Sequence, residues 1–202
     1  MRCLHAALLG LLVVTAAQAD VGNMMRVLRQ HPMLENLEIC HAGSCAQVSR
    51  AAITDAEWEA VAALCMPLAE TAEAERACIV NAIGKLEELV GEKTGTATDK
   101  GGTLGNADYP GQMDCNDEAI NASTYVKLLI QKGMVRHHSL RNLHRRGYFF
   151  GGWPHTTAVI RDNAIQQDYA LDAWFYDNGH PATIVPLAQW KSGWKPEDSP
   201  AR

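Results

Sequence analysis

A thiol, an imidazole and a carboxylate follow one another along the chain in settings that suit nucleophilic catalysis. They are Cys115 in MDCNDEAINASTYVKLLI, His155 in GGWPHTTAVIR and Asp172 in DYALDAWF. Cys115 falls at the predicted first turn of a helix. Unpaired backbone N–H groups and the helix dipole favour a thiolate there. The same N–H groups can stabilise a developing oxyanion. A nucleophilic cysteine needs a histidine to take its proton, and an acidic or amide group to orient that histidine. His155 directly precedes the strand-like TTAVIR, and Asp172 lies in the next strand-like run. A short hairpin sets such residues on neighbouring strands. The chemistry of this set is acyl transfer: attack on an amide carbonyl, a thioester on Cys115, and resolution by water or an amine. It requires no cofactor.

Other side chains are candidates for the walls of a cleft. Trp153 sits two residues before His155 and could line the cleft or shield the imidazole. His137 and His138 are further cleft candidates, in a segment made locally basic by Arg136, Arg141, Arg145 and Arg146. A metal cluster of these histidines with His144 and His155 is disfavoured. The adjacent pair diverges on a regular helix or strand, and no H-E-x-x-H pattern is present. No metal site is expected.

The elements that must position these groups can be read from periodicity. Val21–Gln30 reads as a short helix stopped near Pro32. Residues 33–50 read as a disulfide-tied loop. Thr54, with Glu57 three positions on, gives a capping-box start to a helix carrying Trp58, Val61 and Leu64. A second helix is expected over Ala72–Val90, ended by Gly91. The glycine-rich stretch 91–111 is a long loop that can lie beside a site. It lacks the ending of a phosphate-binding P-loop. Asp114 caps the Cys115 helix, and Gly133 ends it. After a polar stretch over Arg136–Arg146, strands are expected at Tyr148–Phe150, Thr156–Arg161, Tyr169–Tyr176 and Thr183–Val185. Asp162–Gln167 serves as a hairpin turn. Helices first and antiparallel strands later read as α+β.

The chain start and the cysteines indicate a compartment. Arg2, the apolar run Ala6–Ala17 and the A-x-A of Ala17–Ala19 read as a cleaved secretory signal. The run falls short of the ~20 residues that span a bilayer, and no later segment resembles a membrane span. Export, periplasmic or secreted, in a bacterial host is expected. Cys40, Cys45, Cys65 and Cys78 then suit two disulfides, with Cys115 left over. Cys40–Cys45 with Cys65–Cys78 and the nested Cys40–Cys78 with Cys45–Cys65 both remain open. The 202 residues carry a net charge of -5 and are 47% hydrophobic. That composition excludes low-complexity disorder and a nucleic-acid binder driven by bulk positive charge.

The ordered set Asp114-Cys115 before AINASTYVKLL, His155 before TTAVI, and Asp172 in ALDAWF resembles the transglutaminase-like branch of papain-like cysteine hydrolases. The resemblance covers roughly residues 110–190. It implies a Cys115–His155–Asp172 triad on an α+β core in which a central helix packs on an antiparallel sheet. It also implies an oxyanion donor shortly before the nucleophile, here Gln112. The corresponding division is a signal peptide over 1–19, a disulfide-containing helical region over 20–94, and a catalytic core over 95–202 that includes the glycine-rich loop. The resulting expectation is an exported amide hydrolase, a peptidase first, acting on a peptide or protein substrate associated with the cell envelope. Amine transfer and a catalytically inactive binding protein are the alternatives.

Overall fold

The computed structural model describes residues 21–103, 109–147 and 154–199. The signal segment 1–19, the strand candidate Tyr148–Phe150 and Trp153 lie outside these residues. The chain begins with helix α1 (21–29). It continues through β1 (Leu37–His41), β2 (Gln47–Ala51), α2 (Asp55–Ala63), α3 (Ala72–Thr94) and α4 (Cys115–Gln131). Strands β3 (His138–Arg146), β4 (His155–Asp162), β5 (Gln167–Asp172) and β6 (Thr183–Pro186) follow, and α5 (Leu187–Lys191) comes last. The fold is mixed α+β with antiparallel sheets.

The helix starts obey local capping chemistry. Thr54 and Glu57 complete the capping box of α2, and Thr71 accepts the Ala74 N–H at the head of α3. α3 runs past Gly91 and ends at Gly95, whose φ of 81° supplies the left-handed cap. Gly91 has a different task from the expected terminator. A Cβ there would meet Asn178 Nδ2 at 2.9 Å and Ala97 Cα at 3.0 Å, so glycine lets the returning chain lie against the helix.

Two regions differ from the sequence expectation. Residues 33–50 form a hairpin, β1–β2, with Cys40–Cys45 bridging its turn. Arg136–Arg146 is not a polar connection but contributes β3, the edge strand of the four-stranded sheet β3-β4-β5-β6. Its apolar residues, Leu140 and Leu143, are separated by a register shift between Arg141 and His144. That bulge breaks the alternation by which a strand is recognised.

The four-stranded sheet is covered on both faces. Ala158, Ile160 and Leu171 join Tyr125, Val126 and Leu129 of α4 and Ile79, Ile83 and Leu86 of α3 in one hydrophobic cluster. Val159 and Ala170 pack on the other face against Leu187 and Trp190 of α5. The period-two alternation therefore sorts β4 and β5 between two cores. Leu37 and Ile39 of the hairpin belong to the same cluster as α3, α4 and the sheet. Packing is thus continuous across the division expected at residue 94. The second bridge is Cys65–Cys78, and Cys115 is free and buried. Among the described residues, no helix is long and apolar enough to cross a membrane.

Candidate active site

The head of α4 is held by two aspartates. Asp114 caps the helix, accepting the Asn116 and Asp117 N–H groups, each at 2.9 Å. Asp117 bonds back to Asp114 N, and its two oxygens also accept Cys45 N at 2.6 Å and Gly43 N at 2.8 Å. The hairpin turn so gripped carries four consecutive residues at positive φ: Ala42 at 66°, Gly43 at 81°, Ser44 at 50° and Cys45 at 60°. Non-glycine residues resist that region by roughly 1–2 kcal/mol each. The Asp117 carboxylate and the Cys40–Cys45 bridge hold them there. Asn121, lower on the same helix, accepts Cys40 N at 2.8 Å and donates to Cys40 O at 2.9 Å. The first disulfide therefore fixes the helix that begins with Cys115.

Cys115 is 6% exposed and packs against Trp174 and Phe175, with Tyr176 and Trp194 alongside. Burial pushes its thiol up to about 11, and the charges of Asp114 and Asp172 act in the same direction. The neighbouring Thr156 backbone and hydroxyl oppose this. The single hydroxyl proton of Thr156 goes to Asn116 Oδ1 at 2.7 Å. Burial opposes the thiolate that the helix head favours. Desolvation by the aromatic wall outweighs a dipole contribution of about 0.3–1 kcal/mol.

His155 and Asp172 form the neighbouring pair. His155 Nε2 lies 2.7 Å from Asp172 Oδ2, with both side chains almost wholly buried. The same Oδ2 accepts the indole N–H of Trp190 at 2.7 Å, and Oδ1 accepts Trp174 N at 3.3 Å. A carboxylate surrounded by donors is an acceptor only, so Nε2 carries the imidazole proton. Nδ1 then presents its lone pair, and that buried atom has no hydrogen-bond partner among the described residues. The ring lies 4.6 Å from Trp174, 5.5 Å from Phe175 and 5.4 Å from Trp190, centroid to centroid. His155 thus touches the same two aromatic residues that wall Cys115.

Strand parity explains the approach. His155 and Asp172 share the sheet face of Val159 and Ala170, which α5 covers, whereas Thr156 points to the α4 face and meets Asn116. The strand start is therefore where the two faces meet. Arg146, paired with His155 in the ladder, holds α5 in place. Its guanidinium lies 4.3 Å from the Trp190 ring centroid and donates to the carbonyls of Trp190 and Trp194.

The glycine-rich loop lies against this wall. Gly102 N donates to Trp174 O at 2.7 Å, and the Trp174 indole donates to Thr103 O at 3.0 Å. A Cβ on Gly101 would sit 2.4 Å from Tyr176 backbone atoms, so only glycine permits this contact.

The remaining sequence candidates fall elsewhere. Gln112 is buried, with Nε2 donating to Thr98 O at 2.9 Å and Oε1 accepting Lys100 N at 3.2 Å. Its amide ties the loop through its carbonyl and one N–H. The structure does not bring His137 and His138 to the site. His138 pairs with Asp162 at the far end of β4 from His155, seven residues or roughly 23 Å of strand away. There His138 Nδ1 lies 2.8 Å from Glu75, whose carboxylate also receives the Arg136, His137 and His138 N–H groups. Among the described residues, no three His, Cys, Asp or Glu side chains are grouped to hold a metal.

Sequence reasoning did not single out Trp190, Thr156 or Asn116, and it named Arg146 only as one of a basic group. Asn116 and Thr156 do immediately follow the nucleophile and base candidates, which is the signal that could have found them. A buried acid cluster was also missed. Glu87, Asp99 and Glu118 come from α3, the glycine-rich loop and α4, and burial raises all three. Asp99 bonds Met113 N at 2.6 Å, two residues before Cys115. Protein-family models, characterised proteins and solved structures give no match to this chain.

Proposed function

We propose that this chain is an exported cysteine-dependent amide hydrolase, a peptidase by first choice, acting through a thioester on Cys115. The observation that carries the reading is the buried Nδ1 of His155, which has no hydrogen-bond partner among the described residues and whose other nitrogen is engaged by Asp172. Its chain neighbour, Thr156, reaches both Cys115 and Asn116. In this reading, α4 and the four-stranded sheet form the core of a transglutaminase-like hydrolase.

The thiol is protonated at rest, so His155 acts as a general base at the moment of attack. Nδ1 takes the Cys115 proton while the sulfur lone pair adds to the amide carbonyl. Carbonyl electrons move to oxygen, where the Cys115 N–H supplies stabilisation, the Asn116 and Asp117 N–H groups being held by Asp114. The C–N bond then breaks, and Nδ1–H protonates the departing amine. Water attacks the thioester, gives its proton to Nδ1, and releases the carboxylic acid as the sulfur leaves and regains a proton. Asp172 holds the imidazole and stabilises its cation throughout.

A catalytically silent binding protein is the second reading, favoured by the near-complete burial of Cys115. Mixed peptide substrates with mass-spectrometric product detection separate the two. The hydrolase reading expects cleavage, a trapped acyl adduct on Cys115, and loss of both in Cys115→Ala and His155→Ala. Intact substrates with no adduct across a broad peptide and amide panel sink it.

A further inference from the structure

We propose that the groove between α1, α4 and β3 binds a single-chain anionic amphiphile of the fatty-acid carboxylate class. The groove encloses about 550 Å³, within the range of small-molecule sites. Its apolar surface comes from Met24, Met25, Leu28, Leu140 and Leu143. Unbranched thioethers adapt to a flexible hydrocarbon chain. Met25 is 41% exposed, so this surface is not closed by the fold itself.

The charge around that surface has one sign. Arg29, Lys127 and Arg145 line the groove, and no carboxylate does so among its described lining residues; Arg141 borders it through β3, but it pairs with Val159 and so belongs to the α5 face. This occurs in a chain whose net charge is -5. Lys127 is the inner cation. Its ammonium is half-buried and donates to Leu28 O, and burial lowers its pKa. An incoming carboxylate relieves that desolvation, and an apolar tail covers the methionines and leucines. Arg141 also senses Asp168, but that carboxylate is already held by Arg161 at 2.6 and 2.9 Å.

An acidic peptide would meet the same charge, but β3 is a poor template for it. The register shift between Arg141 and His144 interrupts the regular ladder that an added strand needs. The groove also lies toward the candidate active site. Arg145 pairs with Thr156, so both side chains belong to the α4 face of the sheet. The proposal does not depend on Cys115 being reactive.

The test is calorimetric titration of the exported chain with dodecanoate below its micelle concentration. One-to-one saturable binding is expected, weakened by salt and at least about tenfold weaker for a neutral twelve-carbon maltoside. Arg29→Glu, and separately Met25→Asp, should each weaken dodecanoate binding about tenfold or more with unchanged melting temperature. Equal affinity for the neutral detergent overturns the proposal. So does binding untouched by both variants, multiple-site uptake, or binding only to an acidic peptide or to anionic vesicles.

Discussion

Thr156 donates its hydroxyl to Asn116 at 2.7 Å, joining the residue after His155 to the residue after Cys115. The bond fixes the start of β4 against the head of α4, so any geometry between thiol and imidazole depends on it. Thr156→Val keeps the shape and leaves Asn116 Oδ1 without that donor. A stability loss of about 1–3 kcal/mol in urea unfolding is expected. Substrate cleavage should fall at least several-fold, with kcat affected more than KM, and Thr156→Ser should restore it. A stability loss with unchanged kcat would leave Thr156 a purely structural contact.

The C-terminal segment packs beside the thiol. Trp194 meets Phe175 edge to face at 5.9 Å, and Ser199 donates to Phe175 O at 2.8 Å. Trp194 also packs against the cluster containing Cys115. Such peripheral contacts open more readily than the core. Trp194→Ala should accelerate iodoacetamide modification of Cys115 by roughly an order of magnitude while leaving the circular dichroism spectrum unchanged. An unaltered rate would mean that the segment does not gate the sulfur.

The sequence disclosed much of this framework because its local rules agree with its packing. The α4 cap at Asp114 and the turn before β5 are local chemistry, and both formed where periodicity and turn residues placed them. β3 was hidden because Arg141, His144 and Arg145 occupy an exposed edge and a bulge removes alternation. The pairing of His155 with Asp172 followed from a short hairpin, which brings neighbouring strands together. Trp190 was not legible in this way, since its indole reaches Asp172 only after α5 folds back over the sheet. Gln112 illustrates the converse. The family resemblance implied an oxyanion donor there, while the glycine-rich loop engages its carbonyl and one N–H.

Glu75 provides a way to separate stability from chemistry. Its buried carboxylate receives three backbone N–H groups and faces His138. Burial opposes ionisation, but His138 and those N–H groups leave its pKa below the usual value. Glu75→Ala should cost about 3–5 kcal/mol, because it orphans a buried histidine and several donors. At temperatures where the variant stays folded, alkylation of Cys115 should proceed at the wild-type rate, since the cluster lies at the opposite end of β3. A changed rate would reveal coupling along the sheet.

The acid cluster gives stability a pH dependence. Burial raises Asp99 to about 6 and Glu87 to about 8, with the charge of Asp99 adding to the effect on Glu87. Glu118, also raised, faces both from α4. Over the interval between the unfolded carboxylate value, about 4.3 for Glu, and these raised values, the native chain holds protons that the unfolded chain has released. Stability therefore falls as pH rises through the window, by at most about 1.4 kcal/mol per pH unit for each proton. Glu75, Asp168 and Asp177 have depressed values, so their contribution is present above the ordinary carboxylate range and fades below it. Opposing slopes place the maximum melting temperature near pH 5. Glu87→Gln copies the protonated side chain and should flatten the decline between about pH 5 and 8. A melting temperature that climbs toward pH 8, or a Gln variant with the wild-type slope, would show that the three acids do not share protons in the folded chain.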